Sequence, residues 1–123
     1  MIPALFALTL SLLLVHELDA IRAKEWRMFV VLQDLPETRA YQIFALAHLP
    51  LLWVVLWVLS RGSTTAVTVL HYVVDILLVG HTVLHFGFRN HPNNGFTSVF
   101  SQVIIYALGL AAMAHLLGIS LVR

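Results

Sequence analysis

Cysteine is missing from the 123 residues, which excludes a disulfide, a thiolate metal site and a cysteine nucleophile. Charge is scarce as well, at 11% of the chain. Seven Lys and Arg against six Asp and Glu leave a formal charge of +1, with no basic field to gather nucleic acid, so no nucleic-acid partner is expected. Four prolines and six glycines leave long stretches without a helix breaker. What fills those stretches is apolar: 60% of the residues are hydrophobic, well beyond a soluble domain. Against that background seven histidines stand out.

Four apolar runs are long enough to cross a hydrocarbon core, which takes roughly 20 helical residues. Backbone groups in lipid must pair within their own segment, and none of these runs alternates like a barrel strand, so each reads as a helix. The expected fold is all-α: a four-helix antiparallel transmembrane bundle, one integral membrane domain over 1–123, with helices over about 3–32, 36–60, 64–88 and 98–121. Asp34-Leu35-Pro36-Glu37, Arg61-Gly62-Ser63-Thr64 and Asn90-His91-Pro92-Asn93-Asn94-Gly95 supply the turns. The first helix is expected to continue through Leu32, because 21–32 contains no Gly or Pro, with Trp26, Met28 and Phe29 in the interface. The run from Ile2 to Val15 lacks a basic segment before it and a small-residue cleavage site after it, so it reads as a retained span.

Arg22, Lys24, Arg27, Arg39 and Arg89 fall on one side and Arg61 and Arg123 on the other. This bias places the first and third loops in the cytoplasm and both termini outside it, in a multi-pass inner-membrane arrangement. The lipid bilayer is then the main partner. Four helices leave a monomer little room for a cavity, which admits a homo-oligomer or a larger membrane complex.

Ionisable groups in a span cost on the order of 2.5–3.5 kcal/mol each, so they point inward and find partners. At 100° per residue His71, Asp75, His81 and His85 share an arc of about 120° on the third helix. The first helix adds His16, Glu17 and Asp19, with His16 and Asp19 on one face. The second adds His48 near Pro50, and the fourth Gln102, Tyr106 and His115. Counting about 1.5 Å per residue from the outer ends, His16 lies at roughly 20 Å, Asp19 and His81 at about 24–25 Å, and Asp75 and His48 near 16 Å. One main cluster is expected in the inner half, with His71 and His115 as an outer pair and His91 in the loop beyond His85.

His81 and His85, at i and i+4, have the spacing of bidentate metal capture, and His16 with Asp19 or Glu17 would complete the shell. Nitrogen and oxygen donors without sulfur suit zinc, iron or manganese. The expected metal ligands are His16, His81, His85 and Asp19, around zinc or non-haem iron, with Glu17 and Asp19 as the candidate catalytic carboxylates. Zinc would supply an activated water, with Asp19 or Glu17 accepting its proton. Iron would support oxygen or electron chemistry, on a lipid-soluble substrate in either case. A b-type haem between two histidines, such as His48 with His81 or His16 with His85, is a second reading, opposed by the nearby carboxylates. A third is a non-catalytic subunit, or a proton or ion relay through Asp75, His71 and His48. Intramembrane histidines also pair simply to hold helices together. Glu25, Trp26 and Arg27 read as an interfacial anchor with a salt bridge inside the helix.

His16-Glu17-Leu18-Asp19-Ala20, Glu25-Trp26-Arg27, His81-x-x-x-His85 and Phe88-Arg89-x-His91-Pro92 together resemble a bacterial family of small four-helix membrane proteins described only as a domain of unknown function. The resemblance spans most of the chain and implies a shared polar signature, without an activity, substrate or cofactor. Membrane desaturases also use HxxxH, but with HxxHH boxes absent here. The intramembrane zinc hydrolases of the ceramidase and adiponectin-receptor type combine HxxxH with a further His, an Asp and a Ser. They have seven helices, and no Ser is expected beside His16 and Asp19, so that likeness is one of chemistry alone.

Overall fold

A computed structural model describes residues 2–122, with the side chain of residue 2 left aside. Four helices follow one another: α1, Ile2–Ala23; α2, Glu37–Arg61; α3, Thr64–Gly87; and α4, Val99–Leu121. There is no strand among the described residues, and all four helices are long and apolar enough to cross a membrane. Local chemistry sets the starts of two of them. Ser63 caps α3 by accepting a hydrogen bond from the Ala66 amide at 3.2 Å, and Ser98 caps α4 by accepting one from the Ser101 amide at 3.0 Å. Proline at 36 precedes α2, whose first residue, Glu37, takes ion pairs from Lys24 at 3.0 Å and from Arg27.

The first helix does not continue to Leu32. It ends at Ala23, Lys24 takes a left-handed conformation at φ 53°, and Glu25–Met28 form a 3-10 turn. A left-handed lysine costs roughly 1–2 kcal/mol, and tertiary packing outweighs it. The break lets the Trp26 ring turn back into a core of Ala20, Ala23, Ala40, Phe44, Phe96 and Ile105, where it is 3% exposed. An aromatic side chain of that size contributes more by packing than one strained residue costs. The break also frees Arg27 to reach Glu37 of α2 instead of a partner in its own helix, and buries Trp26 within the protein.

The bundle is arranged around α4, which packs closely against both α1 and α3. Glycine at 109 permits this, since a Cβ there would lie 2.6 Å from Thr82 Oγ1. Pairings fix the directions: Arg22 with Ser101 and Phe6 with His115 make α1 antiparallel to α4, and Asp75 with His115 does the same for α3. Consequently α1 and α3 run parallel, with their imidazole-bearing faces toward each other. By contrast α2 buries only Ala40 and Phe44 and leaves Trp53 and Trp57, stacked at 5.6 Å, exposed on its apolar face. A second core of Phe6, Val74, Leu78, Leu108 and Ala112 fills the half of the bundle nearer the termini.

Candidate metal centre

Three imidazoles and one carboxylate converge where α1 and α3 face each other. His16 comes from α1, His81 and His85 from successive turns of α3, and Glu25 from the 3-10 turn. His81 Nε2 lies 2.8 Å from His16 Nε2 and 3.1 Å from His85 Nε2. Glu25 spans the group: Oε1 is 3.2 Å from His85 Nε2 and 3.9 Å from His81 Nε2, while Oε2 is 3.8 Å from His16 Nε2. One ligand atom from each of the four lies within 4.8 Å of the others.

Those separations carry chemical meaning. Tetrahedral zinc with bonds of about 2.0–2.1 Å holds its ligand atoms about 3.3–3.4 Å apart. The His81 contacts with His16 and His85 and the Glu25–His85 contact, 2.8–3.2 Å, lie inside that edge, and the Glu25 contacts with His81 and His16, made through different oxygens, lie outside it at 3.9 and 3.8 Å. A neutral ring has one N–H and one bare nitrogen, so N–H···N bonds can join His81 to His16 and to His85, and a cation could replace those protons at the same nitrogens.

The walls hold the rings in place. Phe96 stacks on His16 at a centroid distance of 5.4 Å and meets His85 edge to face at 4.6 Å. His16, Glu25 and His85 are at most 6% exposed, whereas the His81 side chain is 29% exposed, so the cluster opens past His81. Burial opposes ionisation of Glu25, but the hydrogen bond from His85 and the charges of His81 and His16 outweigh it. The carboxyl is held below the usual glutamate range.

Residues 16, 17 and 19 fan out onto three different helices. His16 faces α3, as described. Glu17 reaches α2, its Oε2 2.9 Å from His48 Nε2, and the other ring nitrogen, Nδ1, donates to the Phe44 carbonyl at 2.7 Å. Asp19 turns toward α4, where it accepts from Arg22 Nε at 2.7 Å while Arg22 Nη2 donates to Ser101 Oγ at 3.0 Å. Positions at about 0°, 100° and −60° around a helix give this divergence directly. The structure thus brings three expected ligands, His16, His81 and His85, together, and sets Asp19 in a brace beside them. Ser101 stands against Asp19, contrary to the expectation that no serine would; it lies eighty-two residues downstream on another helix.

Glu25 is the residue the sequence assigned elsewhere. Nine positions after His16, it would point about 180° away in an unbroken helix. Only the left-handed turn at Lys24 swings it back, and a lysine gives no signal for that conformation.

The outer histidines also acquire places. His71 and His115 pair edge to face at 5.1 Å, as expected, and Asp75 joins them, its Oδ2 2.6 Å from His115 Nδ1. His91 stays in the turn after α3, where its Nδ1 accepts from the Asn93 amide at 3.2 Å.

A family model described as a family of unknown function (DUF6713) matches residues 2–121, and the chain belongs to that family. No curated protein and no solved structure matches it.

Proposed function

We propose that this family member is an intramembrane metal-binding protein whose site, His16, His81, His85 and Glu25, takes zinc or non-haem iron. The observation that carries the reading is the convergence of four donor groups, one ligand atom from each lying within 4.8 Å of the others. A neutral imidazole trio with one carboxylate suits a borderline divalent cation, and the anionic Glu25 offsets part of its charge in a low-dielectric setting. Relative to the ligand set expected from sequence, Glu25 takes the place of Asp19.

Four protein donors close a tetrahedral zinc shell, whereas iron, with five or six positions, keeps sites for an exogenous ligand. The exposure of His81 and the Glu17–His48 pair, next in sequence to His16, favour a site that admits a small or lipid-soluble molecule. On this reading the protein is a metal-dependent enzyme, with Glu17 accepting and returning a proton and Asp19 positioning α1. Haem is disfavoured for both pairs considered: His48 has its two ring nitrogens engaged by Glu17 and the Phe44 carbonyl, and the His16 and His85 ring centroids, 5.1 Å apart, leave no room for a macrocycle between them. A metal-bearing subunit of a homo-oligomer or larger complex is the second reading, favoured by the apolar face that α2 leaves uncovered.

The test is elemental analysis with an optical spectrum of the full chain purified in detergent. Near-stoichiometric zinc or iron without a Soret band supports the proposal. A Soret band, or no metal after reconstitution with either ion, overturns it.

A further inference from the structure

Asp75 and His115 are both fully buried, with side chains at 0% exposure. They share the 2.6 Å contact between Oδ2 and Nδ1, but Asp75 Oδ1 and His115 Nε2 are buried without a hydrogen-bond partner. An ionised aspartate beside a neutral imidazole would put a net negative charge inside a lipid-embedded bundle, at a cost of several kcal/mol. One additional proton removes that charge. It does so equally as a carboxylic acid beside an imidazole or as a carboxylate beside an imidazolium, and the Oδ2–Nδ1 contact survives in both.

The neighbours of the pair bear on where such a proton comes from. On α3, His71 stands one turn nearer the termini, half-buried, its ring 5.1 Å from that of His115, and Tyr72 reaches Ser120 at 3.4 Å. On α1 the facing residue is Phe6, its ring 4.1 Å from His71 and 5.0 Å from His115, and α1 has no titratable side chain between it and His16. On α2 there is none between His48 and Arg61, and on α4 the only other one is Tyr106. Toward the metal cluster the way is filled by Val74, Leu78, Leu108 and Ala112.

We propose that His71, Asp75 and His115 form a second site, independent of the metal cluster, that binds one proton taken up and released through His71 from the terminus end of the bundle. His71, half-buried and one turn nearer the termini, is the titratable group beside the pair on that side, so a proton that reaches or leaves the pair from the terminus end passes next to its ring. The apolar layer stops it from continuing to His81, so the site stores a proton without conducting it across.

The experiment uses the full chain in phosphatidylcholine nanodiscs with histidine ring nitrogens labelled with ¹⁵N and aspartate carboxyls with ¹³C. At neutral pH the expected spectrum contains one proton beyond the ionised-aspartate, neutral-ring state. It is seen either as a protonated aspartyl carbonyl band in the infrared or as one imidazolium among His71 and His115 by NMR. Asp75→Asn abolishes that signal, while chelation or His85→Ala leaves it unchanged. An ionised carboxylate with both rings neutral overturns the proposal, and so does a signal that follows the metal. Should Asp75→Asn fail to fold, the labelled wild-type spectra decide alone.

Discussion

Glu25 meets His85 at 3.2 Å across sixty residues of sequence, and the contact exists because the chain reverses at Lys24 instead of prolonging α1. A cluster that two helices only begin is thereby completed by a 3-10 turn. Two of its four members are held on one helix, and the other two stand on either side of a single strained residue.

Ligand substitutions separate the cluster from the outer histidines. His16→Ala, His81→Ala and His85→Ala are each expected to lower bound metal to a small fraction of wild type, and Glu25→Gln to lower affinity at least tenfold. His115→Ala retains full stoichiometry. Elemental analysis after gel filtration reads all five. Chelation of the wild type is expected to lower its melting temperature, since a ligand that binds only the folded state stabilises it by mass action.

Asp19 and Glu17 distinguish a ligand from a brace. Asp19→Asn is expected to keep the metal while destabilising the chain by about 1 kcal/mol, because its exposed partner Arg22 makes the pair a screened one. Loss of metal would return Asp19 to the coordination shell. Glu17→Gln is expected to keep the metal too, and to weaken whatever proton-dependent reaction the metal supports. A metal titration alongside denaturant unfolding tests both.

Gly95→Ala probes the turn that delivers Glu25. A Cβ at residue 95 would lie 2.2 Å from the Ala23 carbonyl oxygen and 2.9 Å from its Cα, and backbone cannot yield as a side chain does. The chain between Ala23 and Glu25 must move, so metal affinity is expected to fall although no ligand has changed. Equilibrium dialysis of the variant, with circular dichroism to confirm the helices, reads the effect.

Gly109→Ala tests the α3–α4 seam. The added methyl would meet Thr82 side-chain atoms at 2.6–2.9 Å, and overpacking of this kind costs about 1–3 kcal/mol. Gly109→Ala combined with Thr82→Ala is expected to recover most of that loss in thermal unfolding. Failure of the double variant to recover would place the strain elsewhere.

The fold was legible because lipid leaves the backbone few choices: apolar length gave the four spans, and Ser63, Ser98, Pro36 and Gly62 marked their ends. His81 and His85 were legible from their spacing, and His16 from its counterpart depth. Glu25 was not, since its direction depends on a backbone reversal driven by burial of Trp26 rather than by any local preference. The surroundings of Asp19 were only partly legible: a position about 60° from His16 lets it lean away from α3, but its partner on α4, Ser101, lies eighty-two residues downstream. The partner of Asp75 was hidden in the same way, forty residues away on another helix.

α4 supplies no donor atom to the cluster, yet it is the helix against which both donor-bearing helices rest. It therefore acts as a ruler, fixing the relative heights of α1 and α3. Sliding either by one residue along it, about 1.5 Å, would exceed the differences in bond length that distinguish one first-row cation from another. On the metal-binding reading proposed above, discrimination between ions would then depend on the packing of α4, where Ala111 and Ala112 are buried, and could be retuned without altering a single proposed ligand.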